Sequence, residues 1–348
     1  MRKLATVETV TRIDPIPGAD RIAAATVRGW TVVVAKTDFE PGDRCVFFEI
    51  DSFLPVSDPK FEFLIPRGVR TSVDGQVGHP LRTAKLRGVY SQGLILPLAV
   101  FPDFAGLPDG ADVTPQCGVT LWQPPIPAHL AGTVAGPWPG WLSKTDEERV
   151  QNSPDLFAAA LADLHAGHPW NVHEKIDGAS MSVFIDADGT PGVGSRNLNL
   201  ADTPGNTLWE LARRHNLHDR MLADNVDAVQ GEAYGESIQG NPLRVRGQKL
   251  AVFDVWKNRQ RLPRDLWPEW ARELSVPRRE DYENPQYYTD AETLIRAVDG
   301  IRSHISDVPA EGIVVRPAHQ TETVVDGGGK VKASFKVISN RYLLKHDR

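Results

Sequence analysis

Cysteine is nearly absent. Cys45 and Cys117 are the only two in 348 residues, and their spacing makes neither a disulfide framework nor a cysteine-built zinc site. A reducing, cytoplasmic setting fits that usage. No apolar run approaches the roughly 18–20 residues that span a bilayer. The opening residues, Met1 to Glu8, are broken by charge, so no signal peptide is expected. Excess charge of either sign is also lacking: 39 Lys and Arg stand against 45 Asp and Glu, net −6. Such a surface does not coat nucleic acid indiscriminately, which leaves only local basic strips. One lies between residues 67 and 87, with Arg70, Arg82, Lys85 and Arg87. Another is the C-terminal stretch with Lys330, Lys332, Lys336, Arg341, Lys345 and Arg348.

What is present is globular: 41% hydrophobic and 24% charged residues, with 27 prolines that imply many loops. The length suits two domains. Residues 1 to about 120 read as β-rich. Trp30-Thr31-Val32-Val33-Val34-Ala35, residues 44–50 and Leu94-Ile95-Leu96 are strand-like runs set off by Pro17-Gly18, Pro41-Gly42 and Gly93. Short strands without a helical period predict a small barrel or sandwich. Residues 13–22, followed by Val27-Arg28-Gly29-Trp30, resemble the start of tRNA-binding OB-fold domains. That resemblance implies a nucleic-acid face, with Arg82, Lys85 and Arg87 as candidate contacts. A barrel that only buttresses its neighbour fits the same residues.

Residues 121–142, with Pro124-Pro125, Pro127, Pro137 and Pro139-Gly140, have linker composition. The second domain is expected from 143 to 348. Thr145 and Glu148 have capping-box spacing. Ser153-Pro154-Asp155 predicts a helix start, with Leu156, Phe157, Ala160, Leu161 and Leu164 on its apolar face. Further helices are expected around 206–216, 263–274 and 290–305. The last is capped at Thr289-Asp290-Ala291-Glu292, with Leu294, Ile295, Val298, Ile301 and Ile305 on one face.

The chemistry centres on His173-Glu174-Lys175-Ile176-Asp177-Gly178, which ends at a turn before the alternating strand Met181-Ser182-Val183-Phe184-Ile185. A lysine fixed at a strand end can attack phosphorus or a carbonyl once its amine loses a proton. Alone, the tetrapeptide Lys-x-Asp-Gly reads first as a surface lysine before a turn. It is followed in order by Ser195-Arg196-Asn197, Gly231-Glu232, Phe253-Asp254, Glu311-Gly312-Ile313-Val314 and Lys336 in a last strand.

As a set, these residues resemble the covalent nucleotidyltransferases: DNA ligases, RNA ligases and capping enzymes. Within them the chain is most similar to ATP-dependent RNA ligases of the Deinococcus type, where an OB-like module precedes the ligase domain. Lys144-Thr145-Asp146-Glu147 also looks like RNA ligases. The fold implied is α+β: an N-terminal OB-like β-barrel, then an adenylyltransferase domain of antiparallel sheets flanked by helices. The resemblance makes Lys175 the nucleophile that takes AMP from ATP, passes it to a 5′-phosphate, and lets a 3′-OH displace it. It gives Glu174 and Phe253 to adenine, Glu232 to the ribose and Arg196 to ribose or terminal phosphates. Lys336 and a divalent Mg²⁺ or Mn²⁺ would neutralise phosphate, with Asp177, Glu232 and Glu311 around the hydrated ion. A cation, Lys336 or metal, is expected beside Lys175 to free its amine. One departure stands out: the family ends with two lysines one residue apart, whereas Ser334 or Ile338 flanks Lys336 here. Lys332 is a candidate substitute. The implied partner is nicked nucleic acid with RNA at the 3′-OH side, handled by a monomer in RNA repair. A capping-type guanylyltransferase, or an RNA-binding protein with a degenerate ligase domain, are the competing readings.

Overall fold

A computed structural model of the chain describes residues 2–123, 134–324 and 330–346. Pro124, Pro125 and Pro127 of the proline-rich stretch lie outside the described residues, as do Arg348 and the side chain of Lys330. The chain forms two compact units: residues 1–128 with 343–348, and residues 129–342. It is mixed α and β, with antiparallel pairing dominant. Among the described residues, no helix is long and apolar enough to cross a membrane.

In the first unit, Ala5–Thr9 and Leu94–Pro97 flank the Arg44–Phe48 strand, both antiparallel to it. That central strand is apolar at successive positions because both its faces are buried. Cys45 and Phe47 pack with Trp30, Val32 and Ile50, while Val46 and Phe48 pack with Leu54, Phe61 and Phe101. Strands Arg12–Pro15, Ile22–Val27 and Trp30–Ala35 form a meander. In the last of these, Trp30, Val32 and Val34 are buried and alternate with half-buried neighbours, the period of a strand with one face inward. Two hairpins turn on Arg-Gly pairs. Arg28 and Gly29 have φ of 50° and 78°, and Arg87 and Gly88 have 49° and 89°. Two successive positive φ values make the tight turn whose twist matches its strands, with arginine where asparagine is usual.

The second unit has two sheets. Seven strands run in the spatial order Val134–Gly136, Asn199–Leu200, Pro191–Gly194, Ala179–Ile185, Ala228–Gly235, Gln248–Lys257, Gln260–Arg261. Helices Thr207–Arg214 and Leu217–Asp224 supply Leu208, Leu211, Leu217 and Met221 to the core on this sheet. A four-stranded sheet runs Glu148–Arg149, Phe335–Ile338, Gly312–Pro317, Trp170–Lys175. Helices Pro154–His165 and Ala291–Val298 cover it through Phe157, Ala160, Leu294 and Val298.

Several local expectations are corrected. Thr145 caps no helix: its hydroxyl meets Ser180 Oγ at 2.6 Å, and Glu148–Arg149 is a strand parallel to Phe335–Ile338. Ser153 precedes its helix but makes no side-chain cap bond. The 263–274 segment splits into a 3₁₀ turn, Arg264–Leu266, and a short helix, Glu269–Glu273. Pro268 disfavours helical backbone in the residue before it, and Trp267 is extended there. The 290–305 helix ends at Val298, with Gly300 at φ 87°, so Ile301 and Ile305 leave its face. Asp290, not Thr289, is its cap, accepting from the Thr293 N–H at 2.7 Å.

Candidate active site

The nucleophile candidate sits on the edge strand Trp170–Lys175, paired antiparallel with Gly312–Pro317, which in turn pairs with Phe335–Ile338. Register fixes which side chains meet. His173 lies opposite Val314, which lies opposite Lys336; Lys175 lies opposite Gly312. Alternation turns His173, Lys175 and Lys336 to one face and Glu174, Ile313 and Val337 to the other. Gly312 is required by packing, since a Cβ there would stand 2.1 Å from Val337 O. Gly178 is equally constrained: a Cβ would stand 2.3 Å from Ala233 O. The Asp-Gly turn therefore presses directly on the strand that carries Glu232.

Lys175 Nζ donates to Glu311 Oε2 at 2.7 Å. Burial alone would lower the amine's pKa, but Glu311, Glu232 and Asp177 outweigh it and raise the pKa above its ordinary value. The protein groups that shift the Lys175 amine are carboxylates, so the cation expected beside it would have to offset them. Glu232 is the strained member of this group. Burial pushes its carboxyl up to about 8, with Glu311 and Asp177 adding to the rise and Lys175 opposing it. Asp177 accepts from Tyr342 Oη at 2.6 Å. Among the described residues, no three such groups converge closely enough to ligate an ion directly. A crowded carboxylate group does fit a divalent cation that keeps its water shell.

A cleft of about 950 Å³, open mouth included, extends from Lys175 and Glu232 between the two sheets. Phe253 lies in it because of a β-bulge. Gln230 pairs with Asp254 and Gly231 with Val252, so Phe253 is the extra residue. The bulge lets adjacent residues Phe253 and Asp254 both line the cleft. Glu174 also borders it, but its carboxylate accepts from Ser303 Oγ and from the His304 N–H, the latter at 2.7 Å. Any bond from this side chain to a base draws on its remaining lone pairs. Arg196 is outside the enclosed part. It is half exposed and pairs with Asp146 at 2.5 Å. Lys144 Nζ beside it donates to Asn197 at 2.9 Å. Lys336 is half-buried on the same sheet face as His173 and Lys175.

A charge network that single motifs do not announce closes the cleft. Arg316 bridges Asp254 Oδ1 at 2.9 Å and Glu147 at 2.5 Å. Lys332 Nζ bridges Glu147 at 2.6 Å and Asp254 Oδ2 at 2.9 Å, and Arg261 adds a contact to Asp254 at 3.3 Å. Ser334 Oγ also donates to Glu147. Burial would raise the Glu147 carboxyl, but Lys332 and Arg316 hold it below the usual range. The Asp254 carboxyl is depressed in the same way, against the same burial. Lys332, read in sequence as part of a basic strip, is therefore 12% exposed and ion-paired. Its ammonium lies 5.6 Å from the centre of the Phe253 ring. Sequence reasoning missed Glu147, Arg261 and Arg316. The acid of Lys-Thr-Asp-Glu and the arginine ending Glu-Gly-Ile-Val-Val-Arg were the available signals.

In the first unit, Arg82 is half-buried, and Lys85 and Arg87 are exposed on the hairpin of Ala84–Leu86 and Val89–Ser91. Lys85 Nζ lies 5.0 Å from the centre of the Tyr90 ring.

This combination of a carboxylate-flanked lysine, an aromatic-lined cleft and a β-rich leading unit has close counterparts. An OB-fold domain family model matches residues 4–98, and an RNA ligase family model matches residues 168–338. A search of curated proteins returned no match. Among solved structures, a Naegleria gruberi RNA ligase lysine mutant with AMP and Mn has 38% identity and a TM-score of 0.84, covering 99% of each chain. The same enzyme with pyrophosphate has 38% identity and a TM-score of 0.82 over 100% of each chain. Another lysine mutant, with ATP and Mn, has 37% identity and a TM-score of 0.81 over 99% of each chain. The chain belongs to the RNA ligase family. It is an RNA ligase that carries an OB-fold domain ahead of its ligase domain.

Proposed function

We propose that this RNA ligase uses ATP to seal 3′-OH/5′-phosphate breaks, with the second unit as adenylyltransferase and the first as an RNA-contacting module. The observation that carries this reading is Lys175 at the edge of the cleft, 2.7 Å from Glu311, with Phe253 bulged into the same space. The solved relatives named with ATP, AMP and pyrophosphate support it.

Lys175 Nζ attacks the α-phosphorus of ATP; an N–P bond forms and the bond to pyrophosphate breaks. The RNA 5′-phosphate then attacks the same phosphorus and releases Lys175. The 3′-OH finally attacks the 5′-phosphorus, and AMP leaves. Phe253 offers adenine a π-face, and Glu232 is placed for the ribose hydroxyls or the ion's waters. Lys336, Lys332 and Arg196 are the candidate phosphate cations. A divalent cation, Mg²⁺ or Mn²⁺, supplies positive charge for the developing phosphoryl oxygens when bound. Asp177, Glu232 and Glu311 would hold it through water. While Lys175 stays paired with Glu311 its amine is protonated, so attack requires that pair to open. The polynucleotide partner we assign is a nick with RNA on its 3′-OH side, and the working form a cytoplasmic monomer. Cys45 and Cys117 are buried free thiols, pushed by burial up to about 12 and about 11, which suits a reducing compartment.

Incubation with labelled ATP or GTP and Mn²⁺ tests the reading. Denaturation-stable AMP on the wild type, lost in Lys175→Ala and Lys175→Arg, is expected, since guanidinium supplies no neutral amine. Label from GTP would indicate capping chemistry, and no label a binding protein.

A further inference from the structure

His173 and Arg264 form a cleft feature with no role in the chemistry so far. His173 precedes Lys175 by two residues on the same strand face, about 6.6 Å deeper along the strand. It is 5% exposed and lines the cleft. Arg264 NH1 lies against His173 Nε2, and Arg264 NH2 against Ser275 Oγ. A guanidinium only donates. Nε2 must therefore accept, and the ring's proton must sit on Nδ1. Burial foremost, and then three cations, Arg264, Arg316 and Arg278, keep the ring neutral. Arg264 itself contacts the face of Trp267, 5.5 Å from its centre, and makes no carboxylate pair among the described residues. It is placed by neutral groups, which makes it a setter of His173's proton rather than half of a salt bridge.

Nδ1 has no hydrogen-bond partner among the described residues. The result is a fixed N–H donor in the cleft, beyond the lysine that must meet the α-phosphorus. Lys175, Phe253, Val314 and His173 all line this cleft, so a nucleotide with its phosphate at Lys175 and its base against Phe253 would turn the purine edge farthest from the ribose toward this donor. On adenine that edge carries N1, an acceptor; on guanine N1 carries a hydrogen.

Resting on the ATP-dependent ligase reading, we infer that His173, with its tautomer set by Arg264, donates from Nδ1 to adenine N1 and so selects ATP over GTP. His173 is the specificity residue and Arg264 its positioning residue.

The test is self-adenylylation of the full chain with ATP, 1-deaza-ATP (which lacks the N1 acceptor) and GTP, compared as kcat/KM ratios within each variant. A ratio is unaffected by the fraction of a variant that folds. The wild type should use 1-deaza-ATP about tenfold less well than ATP, the cost of one unmet buried donor. His173→Phe should bring that ratio near one and narrow the ATP:GTP preference. His173→Asn, which keeps a donor near Nδ1, should retain part of it. Arg264→Met should reduce discrimination while Arg264→Gln, still a donor to Nε2, preserves it. Equal use of ATP and 1-deaza-ATP by the wild type, or an unchanged ratio in His173→Phe, overturns the inference alone. Absence of labelling from every nucleotide overturns the ligase reading beneath it.

Discussion

Lys175 and Glu311 are an ion pair, Nζ to Oε2 at 2.7 Å, joining the Lys-x-Asp-Gly and Glu-Gly-Ile-Val motifs of the ligase unit across neighbouring strands. Glu311, Glu232 and Asp177 raise the amine's pKa against the opposing effect of burial. At neutral pH the metal-free amine is therefore protonated, and the reactive neutral form grows as pH rises. Single-turnover adenylylation at fixed Mn²⁺ should climb across pH 6.5–8.5, up to about tenfold per unit. A flat profile in rapid-quench measurements would contradict this account of the nucleophile.

Glu232 gives a stability prediction. Its folded pKa, about 8, exceeds the ordinary 4.5. The folded state thus binds more protons than the unfolded state between those values, and stability falls as pH rises through that window. Without metal, Tm should decline from pH 5 to pH 8, and Glu232→Gln should flatten the decline. Mn²⁺ should raise Tm most near pH 8. Scanning fluorimetry that finds the same slope in wild type and mutant would remove Glu232 as its source.

Phe253 should matter through its ring. Phe253→Ala should weaken ATP binding by about 1–3 kcal/mol, whereas Phe253→Tyr and Phe253→Trp should largely preserve it. Calorimetric titration separates this from a packing role, in which only thermal stability drops and affinity per folded molecule is unchanged.

Asp254 is 2% exposed and faces Arg316, Lys332 and Arg261. Asp254→Asn leaves these cations short of a counter-charge and should cost about 3–5 kcal/mol in urea unfolding. Adding Lys332→Met should recover part of the loss. Strict additivity of the two changes would mean that the network is not coupled.

Neutralising Arg82, Lys85 and Arg87 together should weaken RNA binding and flatten its salt dependence by about one unit per lost phosphate contact. Adenylylation with ATP should be unaffected. Nick binding and salt slopes equal to wild type would assign this hairpin to another task.

The motifs and the fold class were legible because each needs a local pattern: Lys-x-Asp-Gly at a strand end, Trp30–Ala35 with period two, and apolar residues on Pro154–His165. What escaped depends on distant partners. Thr145 reads as a helix cap from spacing alone, yet Ser180 claims its hydroxyl. Lys332 reads as surface charge, but Glu147 and Asp254 meet it from other strands. The Phe253 bulge is a mismatch between two strands, which neither strand's sequence displays. The raised pKa of Lys175 likewise comes from acids that only the folded sheets bring near it.

The parallel pairing of Glu148–Arg149 with Phe335–Ile338 has a consequence for synthesis. Glu147 and Ser334, which bond beside that pairing, are 187 residues apart. Contacts of such separation form late, because the loop between them must first be closed. On the ribosome, the Lys175 strand is made long before Gly312–Pro317, the strand it pairs with, and before Phe335–Ile338, which completes the sheet. A nascent or prematurely terminated chain therefore has the nucleophile but not the platform that aims it.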